Sequence, residues 1–84
     1  MNRRHKRTLE KISEIPERSD ISWTSIESLI KSVGGEVSEG RGSRVRIVLN
    51  DIKAVFHRPH PHKEANKGTI KSVRRFLIEA GIKL

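Results

Sequence analysis

Residues 44–57 read RVRIVLNDIKAVFH, and the way this stretch pairs with itself decides the fold. Both halves alternate, and Asn50-Asp51 between them suits a two-residue hairpin turn. Counting back from that turn sets Leu49 opposite Ile52, Ile47 opposite Ala54 and Val45 opposite Phe56, so one side of the hairpin is wholly apolar. The other side carries the pairs Val48–Lys53, Arg46–Val55 and Arg44–His57. A slip of one residue would mix the two sets, because side chains alternate faces along a strand. The sheet is therefore expected to have a core side and a basic side.

Working outward, Glu36–Glu39 forms a short edge strand that ends at a Gly-Arg-Gly turn. Before it, Ser22 is a suitable N-cap for a helix with Ile26, Leu29, Ile30 and Val33 on one stripe, stopped by Gly34-Gly35. Trp23 stands in the first turn of that helix and is expected to pack. A charge-rich segment, Arg3–Ile15, places Leu9, Ile12 and Ile15 on one stripe and ends before Pro16. After the hairpin, Thr69–Ala80 carries Ile70, Val73, Phe76, Leu77 and Ala80 on a buried stripe, with Gly81 in the C′ position. The predicted class is α+β in the order α-α-β-β-β-α: a three-stranded antiparallel sheet with helices packed on one face. Residues 1–20 read as an N-terminal helical extension and connector, and residues 21–84 as the domain proper.

The chain has 84 residues, no cysteine and a formal charge of +8. A chain of this size buries one small core. No disulfide or thiolate metal site is available, which fits a reducing compartment. The basic start, MNRRHKRTLEK, has no apolar run behind it and so does not read as a secretory signal. No apolar stretch is long enough to span a bilayer, so a cytoplasmic location is expected. The charge is unevenly spread: residues 1–19 carry +3, 20–40 carry −3, 41–63 carry +5 and 64–84 carry +3. A basic excess of this kind favours polyanionic partners such as nucleic acid, or an acidic protein.

From Trp23 to Ile82 the chain resembles HicA, the toxin family of bacterial HicAB toxin–antitoxin pairs. The resemblance rests on the segment IESLIKSVGGEV, the turn GRGSR before an alternating strand, the PHP stretch at 59–61, and KGTIKSVRRFLIEAGI. It implies a fold like double-stranded-RNA-binding domains and metal-independent cleavage of mRNA with no cofactor. It also implies neutralisation by a HicB-type antitoxin. One position departs from the pattern. The family's usual Gly-Ser-His motif, whose histidine is held to be catalytic, is Gly42-Ser43-Arg44 here. The later Pro-His and Gly-Thr motifs are present as Pro59-His60 and Gly68-Thr69.

Cutting RNA without a metal needs a base for the 2′-OH proton, an acid for the leaving oxygen and a cation for the charge on phosphorus. Histidine titrates near neutrality and Arg offers a bidentate fork. In the hairpin register His57 faces Arg44, with Cβ atoms about 4.5–5.5 Å apart. An imidazole from the third strand can thus stand close to where the family places one from the second. The catalytic candidates are His57, His60 and Arg44. A zinc site from His57, His60 and His62 is disfavoured, because the intervening prolines extend the backbone and spread the rings.

The RNA-binding candidates are Arg46, Lys53, Arg58, Lys67, Gly68, Thr69 and Lys71, with Gly68-Thr69 opening the last helix and its free N–H groups. Exposed aromatic residues for base stacking are scarce, since the chain has no Tyr and both Phe residues fall on core stripes. The alternative to a nuclease is a non-catalytic module on the same scaffold that binds RNA or the antitoxin. A helix-turn-helix DNA reader is disfavoured, because a whole sheet separates the last two helices.

Overall fold

The computed structural model describes all 84 residues. Its elements are α1 (Arg3–Ser13), α2 (Trp23–Ser32), β1 (Glu36–Glu39), β2 (Arg44–Leu49), β3 (Ile52–His57) and α3 (Lys67–Glu79). The strands form one antiparallel sheet in the order β1-β2-β3. The class is therefore α+β, in the element order the sequence predicts.

The β2–β3 register is the predicted one, from Leu49 opposite Ile52 to Arg44 opposite His57. Asn50 and Asp51 adopt φ of 49° and 67°, so the turn is of the primed kind that matches strand twist. Both residue types tolerate the left-handed region better than most. Asn50 has a second task. Its side-chain N–H donates to the Ala80 carbonyl at 2.8 Å, which satisfies a helix-end acceptor and ties the hairpin tip to the end of α3.

The apolar side of the hairpin meets α2 and α3 in one core. Val45, Ile47, Leu49 and Phe56 are buried there with Ile26, Leu29, Ile30, Ile70, Val73, Phe76 and Leu77. Phe56 links the elements, with its ring centroid 5.7 Å from Trp23 and 5.8 Å from Phe76, the latter edge-on. Trp23 is buried as expected.

Helix α1 ends at Ser13, two residues earlier than its predicted end, and Ile15 is exposed rather than part of the buried stripe. Ile12 and Thr8 are buried instead, with Leu9 packed beside the core. Arg74 of α3 explains the early stop. Its guanidinium donates to the carbonyls of Ile12 and Glu14 and pairs with Glu17, so it caps the end of α1 from a neighbouring helix. Helix α3 begins at Lys67 rather than Thr69, because Asn66 is its N-cap and accepts from the Thr69 N–H at 2.8 Å.

Gly34 closes α2 with φ of 98°, and Gly35 then passes close to Ile30. A Cβ on Gly35 would lie 2.8 Å from the Ile30 carbonyl oxygen and collide with its side chain as well. Gly35→Ala is therefore expected to cost about 1–3 kcal/mol, as an overpacked site does. Urea denaturation checks this, and a midpoint equal to that of the parent chain contradicts it.

Candidate functional site

The Arg44–His57 pair closes the regular ladder, and one more bond, from the Arg58 N–H to the Ser43 carbonyl at 2.9 Å, carries it past the strand end. Strand alternation sends Arg44, Arg46, Lys53 and His57 to the exposed side of the sheet, and all four are exposed. Val55 lies among them, 56% exposed, so the basic face has an apolar centre. Lys53 is four residues along β3 from His57, about 13 Å toward the hairpin tip.

Beyond Arg58 the chain runs through Pro59-His60-Pro61-His62 and is fastened again at Lys63–Ala65. There the Trp23 N–H donates to the Lys63 carbonyl and the Ala65 N–H to the Ile21 carbonyl, both at 2.9 Å. A loop held at both ends cannot fan out. It folds into a cleft lined by His57, Arg58, Pro59, His60, His62, Glu64, Asn66 and Thr69. All three imidazoles of the loop thus share one cleft with the start of α3. The fastening at Lys63–Ala65 that closes this cleft is a tertiary contact. The three rings do not combine with each other or with Glu64 into a metal-holding group.

At the floor of the cleft the Asn66 cap changes which amides are free. The Thr69 N–H is taken by the Asn66 side chain and the Ile70 N–H by the Asn66 carbonyl. The uncommitted donors are the backbone N–H groups of Lys67 and Gly68, one residue earlier than the sequence suggests. Gly68 is exposed and has no side chain to screen them. Thr69 is half-buried and lines the cleft, while Lys67 and Gly68 are exposed and are not part of its lining. Lys71 is exposed one turn further on, where it lines a separate groove with Arg75 and Ile78. Arg44 is not part of the cleft lining, although its partner His57 is.

Arg58 is directed elsewhere. Its guanidinium donates to both carboxylate oxygens of Glu27 on α2, at 2.8 and 3.3 Å, and to Glu39 on β1 at 2.6 Å. Glu27 also accepts from the Trp23 indole N–H. Parity is the signal available in the sequence: with His57 pointing outward, the next residue points inward, toward α2. The pairing holds Arg58 above its ordinary value, first through the bond to Glu39. In turn the Arg58 bond holds the Glu39 carboxyl below the usual glutamate range.

Residues 23–82 match the family model described as HicA toxin of bacterial toxin-antitoxin. The matched stretch takes in α2, the whole sheet, the histidine cleft and α3, and leaves α1 outside. No curated protein and no solved structure gives a significant match.

The Glu39 shift has a defined sign. A carboxyl lowered on folding adds stability that is fully present above its unfolded value, about 4.3, and disappears as pH falls through the folded value. Arg58→Met is thus expected to return Glu39 to the ordinary glutamate range in an NMR titration. The variant should also lose more stability at pH 7 than at pH 3. An unchanged Glu39 titration sinks this account of the pair.

Proposed function

We propose a function from one premise: this chain belongs to the HicA toxin family, the toxins of bacterial toxin–antitoxin pairs. Its activity is cleavage of mRNA in the cytoplasm by metal-independent acid–base chemistry in the histidine cleft. A HicB-type antitoxin neutralises it by covering the basic face.

One observation carries the reading: three exposed imidazoles share a cleft with Asn66 and Thr69 at the start of α3, between which the free Lys67 and Gly68 amides stand in sequence, and the strand pair beside it ends in Arg44 and His57. In the reaction, His57 and His60 divide the base and acid roles. One takes the proton from the ribose 2′-OH as that oxygen attacks the adjacent phosphorus. The other protonates the 5′-oxygen as its bond to phosphorus breaks, leaving a 2′,3′-cyclic phosphate and a free 5′-hydroxyl. The Arg44 fork and the Lys67 and Gly68 amides bear the negative charge that builds on the non-bridging oxygens. Arg46, Lys53, Lys67, Thr69 and Lys71 hold the backbone on either side, with contacts read by shape and charge rather than by base. Arg58 serves indirectly, because its fork is occupied by Glu27 and Glu39 and holds the loop that bears His60.

Arg44 in the position of the family's usual histidine favours a second reading, a module that binds RNA or antitoxin without cutting. The two differ in one outcome. On a labelled RNA, His57→Ala and His60→Ala are each expected to slow cleavage about 10²–10⁴-fold while RNA affinity stays within a few-fold. Cleavage by both variants at the parent rate removes the imidazole mechanism. A parent chain that binds RNA but never cuts it leaves the second reading standing.

A further inference from the structure

Helix α1 precedes the family match, yet it is built firmly into the molecule. Ile12 is fully buried, the His5 ring is 2.8 Å from the Ser28 hydroxyl of α2, and Arg74 caps the helix end. It packs on α2 and α3 rather than on the sheet. Its inward side is therefore explained by packing. Its outward side is not.

That side presents Arg3, Lys6 and Arg7, all exposed and none in an ion pair, since the pairs in the structure are made by Arg18, Arg58 and Arg74. Arg3, Lys6, Arg7 and Lys11 line a shallow depression that continues to Arg18 and contains no hydrophobic residue. Arg18 adds little charge there, because Glu14 and Asp20 hold it from both sides. Glu10 is the one carboxylate in the depression that no arginine pairs. Arg3 and Arg7 are four residues apart and Lys6 lies between them on the same side, an arrangement of like charges that destabilises a helix. The first turn also sets cations against the positive end of the helix dipole, with no acidic residue to offset them. Local stability thus argues against this arrangement, and a bound polyanion would relieve both repulsions.

We infer that the outward face of α1 is a second binding surface for the phosphate backbone of RNA, separate from the histidine cleft and divided from the sheet's basic face by the α2–α3 pair. The inference rests on the RNA reading above and adds to it a second contact, so that one folded RNA, or two strands, can be held while the cleft acts on one of them. The surface recognises charge and not sequence, since it offers neither an aromatic ring for stacking nor a carboxamide for a base edge. A membrane fits less well, because an interfacial helix needs an apolar exposed side and α1 has buried its own. An acidic protein also fits less well, because the depression has no apolar anchor of the kind that carries protein interfaces.

The test uses the full chain and a fluorescent RNA hairpin with 2′-O-methyl sugars, which cannot be cleaved through the 2′-oxygen. Dissociation constants are measured against NaCl concentration. The triple variant Arg3→Gln, Lys6→Gln, Arg7→Gln is expected to reduce the slope of log K against log salt by roughly 2–3, at about 0.9 for each phosphate no longer neutralised. Arg46→Gln with Lys53→Gln reduces it separately, and the two reductions add. The triple variant should melt no lower than the parent chain, because unfavourable charges have been removed. A lower melting temperature assigns these side chains to packing and overturns the inference. A parental slope in the triple variant, beside a reduced slope in the sheet variant, overturns it while leaving the RNA reading intact. If the parent chain binds the hairpin without salt dependence, both fall. If the triple variant keeps its RNA slope but no longer binds polyglutamate, the face belongs to an acidic protein and the inference is again overturned.

Discussion

The two-residue turn at Asn50-Asp51, with both residues at positive φ, is the constraint on which the rest of the structure depends. A tight turn leaves the hairpin one register, and in that register every second side chain is committed to the core or to solvent. The apolar set provides the floor on which α2 and α3 pack. The polar set brings Arg44 and His57 together at the open end of the ladder and spaces Arg46 and Lys53 behind them. The site is thus a by-product of the same parity that builds the core.

This division also explains what is legible in the sequence. Elements with a strict period can be read: the hairpin register, the edge strand, the apolar stripes of α2 and α3, and the glycines that end both helices. The errors fall where a contact joins residues far apart in the chain. Ile15 matches the stripe of α1, but Arg74 ends that helix from 60 residues away, at the Glu14 carbonyl. His62 reads as part of an open connector because no local feature indicates that Lys63 bonds to the start of α2. Arg58 and Asn66 differ from these. Alternation alone turns Arg58 inward, and an Asn ahead of a helical stripe is an ordinary cap. Both signals are present in the sequence but outweighed, one by the charge of its neighbours and the other by the Gly-Thr motif two residues on.

Charge in this small protein is sorted by element. The carboxylates of Glu27 and Glu39 are used internally, to hold Arg58 and with it the beginning of the histidine loop. Glu14, Glu17 and Asp20 do the same for Arg18 and Arg74 in the connector after α1. What remains unpaired is mainly cationic, fifteen Lys and Arg against the five carboxylates of Glu10, Glu36, Asp51, Glu64 and Glu79, and much of it lies on the sheet's open face, the start of α3 and the outside of α1. The net charge is therefore less informative than what is left of it after internal pairing, and that remainder is a surface property available to a polyanion.

The Asn50 bond to Ala80 makes α3 a strut of fixed length. One end is latched to the hairpin tip and the other opens into the histidine cleft at the far end of β3. Thirteen helical residues span about 20 Å, and six strand residues span about the same. The two members match, and Asn66 and Thr69 at the start of α3 line the same cleft as His57. Adding one residue to the helix would shift that alignment by about 1.5 Å, and adding one to the strand by about 3.3 Å. The lengths of these two elements, as much as the identity of any side chain, therefore gauge the width of the cleft.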